Sequence, residues 1–319
     1  MTATPSGPQP SAPLPSTSLS ASPQPAGAPP VADAAIEVTP IGLRATALRI
    51  WRDRNGKLGL VLTGALLLVA IAAALGVTPY DPLAQESAQA LDGPGARHWF
   101  GTDQFGRDIA SRTFAGVAAS LRVAALAVAV AALIGSLLGI VAGFFGGLVD
   151  AAVGRLADVL FAFPAILLAL AIVAALGHGW LNTAIAIAVV YTPIFVRVAR
   201  GPVLSVREHD YVKAGRVLGF SSARLLFRHV LPNVSAPIAV QVTLALSWAI
   251  LTESGLSFLG LGAQPPEPSL GLMVSDARNL AAEAWWTLAF PAAMIVVAVI
   301  ALNLLGDGLR SALDPRQAP

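Results

Sequence analysis

The sequence predicts an all-α integral membrane protein with six transmembrane helices, on three observations. Hydrophobic residues fill 55% of the 319 positions and charged residues only 12%, against roughly 25% charged in a soluble globular chain. Six apolar stretches recur along the chain, each close to the length, about 20 residues, that crosses a hydrocarbon core ~30 Å thick. The basic residues crowd into alternate connecting segments, as they do when one side of a membrane is favoured. The net charge of +2, from 20 basic and 18 acidic residues, is too even a balance for a nucleic-acid surface. With no cysteine, disulfides, thiolate metal sites and cysteine nucleophiles are excluded, and the redox compartment is left undecided.

Residues 1–40 contain ten prolines among Ser, Ala and Gly with no apolar period. Such a tract buries too little surface to offset its ordering entropy, so residues 1–45 are expected to be a disordered Pro/Ser/Ala-rich cytoplasmic tail. It is too long and too uncharged to be the n-region of a secretory signal, and the apolar run that follows exceeds an h-region of about 7–15 residues. That run is therefore read as a retained first span.

Residues 46–315 form the six-helix domain, its spans expected at 58–77, 121–145, 156–176, 181–198, 234–256 and 285–305. Pro164, Pro193 and Pro291 lie inside apolar segments, where each removes a backbone donor and loosens one helical turn. With both termini inside, only Arg97, Arg107, Arg112, Arg122 and Arg278 of the basic residues fall outside, an asymmetry that places both termini in the cytoplasm. Local pairing with Asp103 and Asp108 accounts for the arginines of the first outer loop. Two loops exceed plain connectors: residues 78–120 outside and residues 199–233 inside.

Gly135, Gly139, Gly143 and Gly147 recur at every fourth position. That spacing keeps them near one helix face where another backbone can approach closely, a packing seam either within the chain or toward a partner membrane subunit. Glu253 stands in the apolar run AILTESGLSFLGLG, one turn before Ser257. A carboxylate at membrane depth costs about 2.5–3.5 kcal/mol on insertion scales, so it must face protein or water. Two readings remain for the pair, a hydrogen bond to a neighbouring helix or a place beside a translocation path. Asp158 is expected to pair with Arg155, three residues away on one helix face. His98 and His178 lack metal-site spacing.

The inner loop reads REHDYVKAGRVLGFSSARLLFRHVLPN from Arg207 to Asn233. Tyr211, Ala214, Gly215 and Leu218 recur at spacings of three and four, which predicts a short amphipathic helix ended by Gly219 in a left-handed conformation. Ser221 or Ser222 then caps a second helix running to Pro232. The hairpin exposes an apolar face flanked by Lys213 and Arg216, a surface for a partner or for anionic lipid.

At these residues the sequence resembles the permease subunits of ABC importers, whose inner loop carries EAA, three residues, Gly, nine residues, I, x, LP. Lys213, Ala214 and Gly215 occupy the EAA positions, Gly219 the glycine, and His229, Leu231 and Pro232 the end. Lys213, Gly215 and His229 depart from that pattern, while the glycine, the leucine, the proline and every spacing agree. FGTDQFGRDIASR from Phe100, RLADVLFAFPAILLAL from Arg155 and LSFLGLGAQPPEPSLG from Leu256 extend the resemblance to the dipeptide, oligopeptide and nickel group of these permeases. It covers nearly everything after about residue 45.

The resemblance implies the MetI-like permease architecture and a division of labour in the cell membrane. A second, homologous permease chain completes the pore, two ABC ATPase subunits sit at the cytoplasmic face, and an extracytoplasmic binding protein delivers a di- or oligopeptide or a related small solute. Asp210, Tyr211, Val212, Lys213, Ala214, Gly215, Arg216, Leu218 and Gly219 then form the coupling helix that the ATPases grip. ATP and magnesium belong to those partners and no cofactor is expected on this chain, which has no GxxxxGK[ST] phosphate cradle and is not an enzyme in its own right. No nucleic-acid partner is implied. The other readings are an ion-gradient-driven secondary transporter, which predicts repeated halves and ionisable residues at mid-membrane, a membrane anchor without transport, and an importer of nickel chelates or opines instead of peptides.

Overall fold

A computed structural model describes residues 43–313 of the chain. The expected disorder of the proline-rich tail lies outside the described residues up to residue 42; from Leu43 the chain is helical, a few residues before the expected boundary. Helix α1 (Leu43–Arg52) meets α2 (Arg54–Ala74) at Asp53, whose carboxylate caps α2 by accepting from Gly56 N at 2.7 Å. Helix α3 (Ile109–Phe145) is capped in the same way by Asp108, which accepts from Ser111 N at 2.7 Å. At about 1.5 Å per residue, its 37 residues run far beyond a hydrocarbon core of ~30 Å. Residues 109–120, expected within an outer loop, are therefore the N-terminal part of this helix.

The third apolar stretch is not one straight span. It forms α4 (Gly147–Phe161) and α5 (Ala165–Leu176), which meet at 91°. Pro164 stands at the start of α5. It has no N–H to give and disfavours helical geometry at the residue before it, so the chain turns at Phe163 instead of kinking gently. Among the described residues, five helices are long and apolar enough to cross a membrane, and the count is six if the two arms of the bent pair form one span. Helix α6 (Trp180–Val206) continues through Pro193 and Pro202, and α11 (Trp285–Leu313) through Pro291.

Helix α3 and α6 form the centre of the bundle. Ala124, Ala127, Val128, Ala131, Ile187, Tyr191 and Phe195 bury there in one apolar cluster. Three of the spaced glycines supply the close approach. A methyl group on Gly135 would lie 2.7 Å from Phe195 Cβ, one on Gly139 would collide with the Val196 carbonyl, and one on Gly143 would meet Val203 at 3.0 Å. Gly147 takes no part. The helix ends at Phe145, Gly146 and Gly147 adopt positive φ, and nothing lies within 4 Å of a Cβ at Gly147. A period of four residues means one face only while the helix lasts.

Asp158 does not pair with Arg155. It meets Arg197 Nη2 of α6 at 2.8 Å, and Asp150 pairs with Arg200 through two of its guanidinium nitrogens, Nε to Oδ1 and Nη2 to Oδ2, the latter at 2.7 Å. Two ion pairs thus tie α4 to α6. Helix α7 (Asp210–Val217) follows α6. Helix α8 (Ser222–Leu225) passes through a π turn at Leu226–Val230 directly into α9 (Leu231–Phe258). The second arm of the inner hairpin does not stop at Pro232, because a proline at the second position of α9 needs no N–H partner. It is the N-terminal root of the next membrane helix. Helix α10 (Leu270–Ala277) lies between α9 and α11 along the chain.

Candidate functional site

The inner segment is a hairpin with one face sealed and the other open. After α7, Gly219 adopts φ +78°, and Phe220 N donates to the Gly215 carbonyl at 2.9 Å. Wrapping the last carbonyls in this way requires a residue at ease in the left-handed region. Ser221 then accepts from Arg224 N at 3.3 Å and starts α8. A Cβ on Gly215 would stand 2.7 Å from Leu225 and 3.2 Å from Phe220. An alanine here would require the end of the Leu225 side chain to shift.

Val212 is fully buried at the hairpin base. It joins Ile140 and Phe144 of α3, Ala199, Val203 and Val206 of α6, and Leu225, Val230 and Val234 of the second arm in one cluster. Arg207 Nη1 donates to the Gly143 carbonyl at 2.8 Å, and the Arg216 guanidinium lies 5.2 Å from the Phe144 ring centre. Lys213 Nζ reaches Glu208 at 3.4 Å. Tyr211 sits between His209 and His229, its ring centre 5.6 and 5.9 Å from theirs, and burial pushes its phenol above the ordinary tyrosine range. Asp210 opens the helix, where a negative charge suits the N-terminal dipole. Ala214 supplies the carbonyl that the Leu218 N–H meets at 2.9 Å.

The opposite face is apolar and open. Val217 is 88% exposed and Leu218 72%, with Tyr211 and Phe227 also at the surface. Spacing alone revealed the amphipathic helix. The sealed face was not legible, because its partners come from α3 and α6, far along the chain.

Glu253 lies elsewhere, near the C-terminal end of α9. It is 2% exposed and accepts from Ser120 Oγ of α3 at 2.6 Å and from Ser257 Oγ at 2.7 Å. Ser257 is what one turn of helix predicts, whereas Ser120 carries no sequence signal. In the outer segment, Asp103 accepts from Arg107 Nε at 2.6 Å and from the backbone N–H groups of Phe105 and Arg107, with Arg112 Nε at 3.7 Å. Burial pushes the nearby Asp276 carboxyl up, against the opposing pull of Arg107 and Arg112. Asp108 binds His98 Nδ1 at 2.9 Å, and Arg122 lies on the Trp180 ring. Among the described residues, no group of three or more His, Asp or Glu is placed to hold a metal ion.

Comparison with known proteins agrees with this arrangement. Residues 135–319 match the family described as the binding-protein-dependent transport system inner membrane component. The chain is 43% identical over 279 residues to the dipeptide transport system permease protein DppC of Alkalihalophilus pseudofirmus, covering 85% of this chain and 91% of that protein. It is 44% identical over 268 residues to the di/tripeptide transport system permease protein DppC of Pseudomonas aeruginosa, covering 82% and 88%. The glutathione transport system permease protein GsiD of Escherichia coli is 42% identical over 284 residues, covering 88% and 93%. These likenesses do not favour a secondary transporter or a passive anchor. A bundle of apolar helices carrying a two-faced hairpin, matched over most of its length by such permeases, belongs to the binding-protein-dependent transport system inner membrane components, the multi-pass permease subunits of ABC importers.

Proposed function

We propose that this chain is the permease of a peptide importer and that α7 is the helix through which ATPase subunits drive it. The single observation that carries the reading is the two-faced hairpin. Leu218 and Val217 offer an apolar surface of the kind that a partner groove buries, while Val212 on the other face is fused to α3 and α6. A displacement of α7 therefore moves the central pair of the bundle as one body. Well-packed interiors switch between discrete arrangements and do not deform smoothly, so closure of the ATPases rotates the permease between inward-open and outward-open states. ATP and magnesium are used by those separate subunits, and this chain is not catalytic.

A second, homologous permease chain completes the passage, and an extracytoplasmic receptor presents the solute. The names of the relatives, two of dipeptide or tripeptide systems and one of a glutathione system, support a short peptide as cargo over a nickel chelate or an opine. The distribution of basic residues supports cytoplasmic termini. Glu253 and Ser257 belong beside the translocation path, where a buried carboxylate can be retained for more than packing. Gly135, Gly139 and Gly143 are proposed as the seam that holds α3 to α6 while the pair moves.

The test is copurification. Leu218→Asp should abolish recovery of ATPase subunits with the permease and should abolish uptake, with the permease still inserted at normal levels. Full recovery of ATPases with this variant would reject α7 as the grip.

A further inference from the structure

We propose that the elbow between α1 and α2 is a binding site for anionic phospholipid headgroups, an interaction beyond the transport reading above. Four cations gather at the elbow, Arg49, Arg52, Arg54 and Lys57, and Arg310 stands near the end of the adjoining helix α11. Helix α2 packs so closely on α11 that Gly56 and Gly308 meet backbone to backbone. Among the described residues, none of these five cations pairs with a carboxylate. Asp53 stands in their midst, capping α2 by accepting from the Gly56 N–H, and offsets one of the five positive charges. Asp307 is the other acidic residue described near this end, and it is exposed. The local charge is thus strongly positive.

The apolar residues beside these cations select a lipid as the occupant. Ile50 turns inward, while Leu48 is 61% exposed and Trp51 49%. Lys57 Nζ lies 5.1 Å from the Trp51 ring centre. Leu58, Val61 and Leu68 carry the open apolar surface on along α2, a surface that only acyl chains or another membrane helix can cover. An indole and long basic side chains at the mouth of such a surface sit at headgroup depth. Basic clusters immediately cytoplasmic of a membrane helix attract anionic lipid. The phosphodiester oxygens would take Arg52, Arg54 and Lys57, with Trp51 and Leu48 in the acyl boundary. Free phosphate would satisfy the cations but not the apolar half.

The test uses the whole transporter complex in nanodiscs or by native mass spectrometry. Retention of phosphatidylglycerol is compared with that of phosphatidylcholine of the same chains, with inorganic phosphate as competitor. The combined change Arg52→Gln, Arg54→Gln and Lys57→Gln should lower the preference for phosphatidylglycerol by about tenfold or more, while the control pair Arg224→Gln and Arg228→Gln leaves it unchanged. Phosphate at about 10 mM, well below the physiological ionic strength of about 0.15 M, should displace little of the lipid. An unchanged preference in the triple variant overturns the proposal, as does an equal loss in the control, which would mean bulk charge. Loss of ATPase recovery with lipid preference intact would assign the elbow to a protein partner and overturn it too. Because lipid retention is read without ATP or solute, its failure is separate from failure of the transport reading.

Discussion

Ser120 Oγ of α3 lies 2.6 Å from Glu253 Oε2 of α9, a contact across 133 residues of sequence. It joins the N-terminal part of the central helix α3 to the helix that continues from the α7–α8 hairpin. A buried carboxylate is costly unless its lone pairs are met, and here two serine hydroxyls meet them. Deleting the carboxylate strands both hydroxyls, at about 1–3 kcal/mol for the buried groups left unpaired. Glu253→Leu should therefore lower the thermal midpoint of the purified permease. Glu253→Gln keeps the size and an acceptor, so it should insert normally and change uptake kinetics. Normal insertion with wild-type uptake in the Gln variant would confine Glu253 to packing.

Gly139 and Gly154 separate close approach from mere helix propensity. Gly139 faces the Val196 backbone with no room for a methyl, whereas nothing lies within 4 Å of a Cβ on Gly154. Gly139→Val should lower stability by about 1–3 kcal/mol through overpacking between α3 and α6. Gly154→Ala should be neutral or stabilising by roughly 0.5–1 kcal/mol. Thermal scans of the two variants in one detergent check the pair. Equal effects would mean that α3 and α6 are not in close contact.

Val212 tests the lever apart from the grip. Val212→Ala empties part of the cluster shared with α3 and α6 and leaves Leu218 untouched. ATPase subunits should still copurify, but solute moved per ATP hydrolysed should fall, because a loosened base transmits less of the motion. Transport stoichiometry in proteoliposomes measures this. A variant that lost its ATPases outright would place Val212 on the gripping face.

Gly219 holds φ +78°, a conformation that costs a residue with a Cβ about 1–2 kcal/mol. Gly219→Val should loosen the turn and raise proteolysis between α7 and α8 in the purified permease. Protease sensitivity equal to wild type would show that the turn is not fixed by this residue.

Much of this was legible in the sequence because one-dimensional patterns map directly onto helices. Apolar length placed the spans, and Gly219 and Ser221 marked the hairpin turn by their own backbone chemistry. Pro164 announced a break but not its size, since 91° between α4 and α5 depends on what α6 offers each half. Asp158 was assigned to Arg155 by helix spacing, and lost it to Arg197 because a cross-helix guanidinium lay closer than the one on its own helix. Gly147 fell out of the glycine row because the helix ended two residues earlier. Val212 and Ser120 had no local mark at all, as their roles exist only once distant helices meet.

The most direct test of the account exploits the absence of cysteine from the chain. Leu218→Cys creates the one thiol of this chain on the open face of α7, and the complete transporter is treated with a short thiol-to-amine crosslinker in the presence and absence of ATP. The account predicts a crosslinked product containing one ATPase subunit, formed in both states because the helix stays gripped throughout the cycle. Reaction of that thiol only with reagents supplied from outside the cell, or no ATPase in the product, would contradict it.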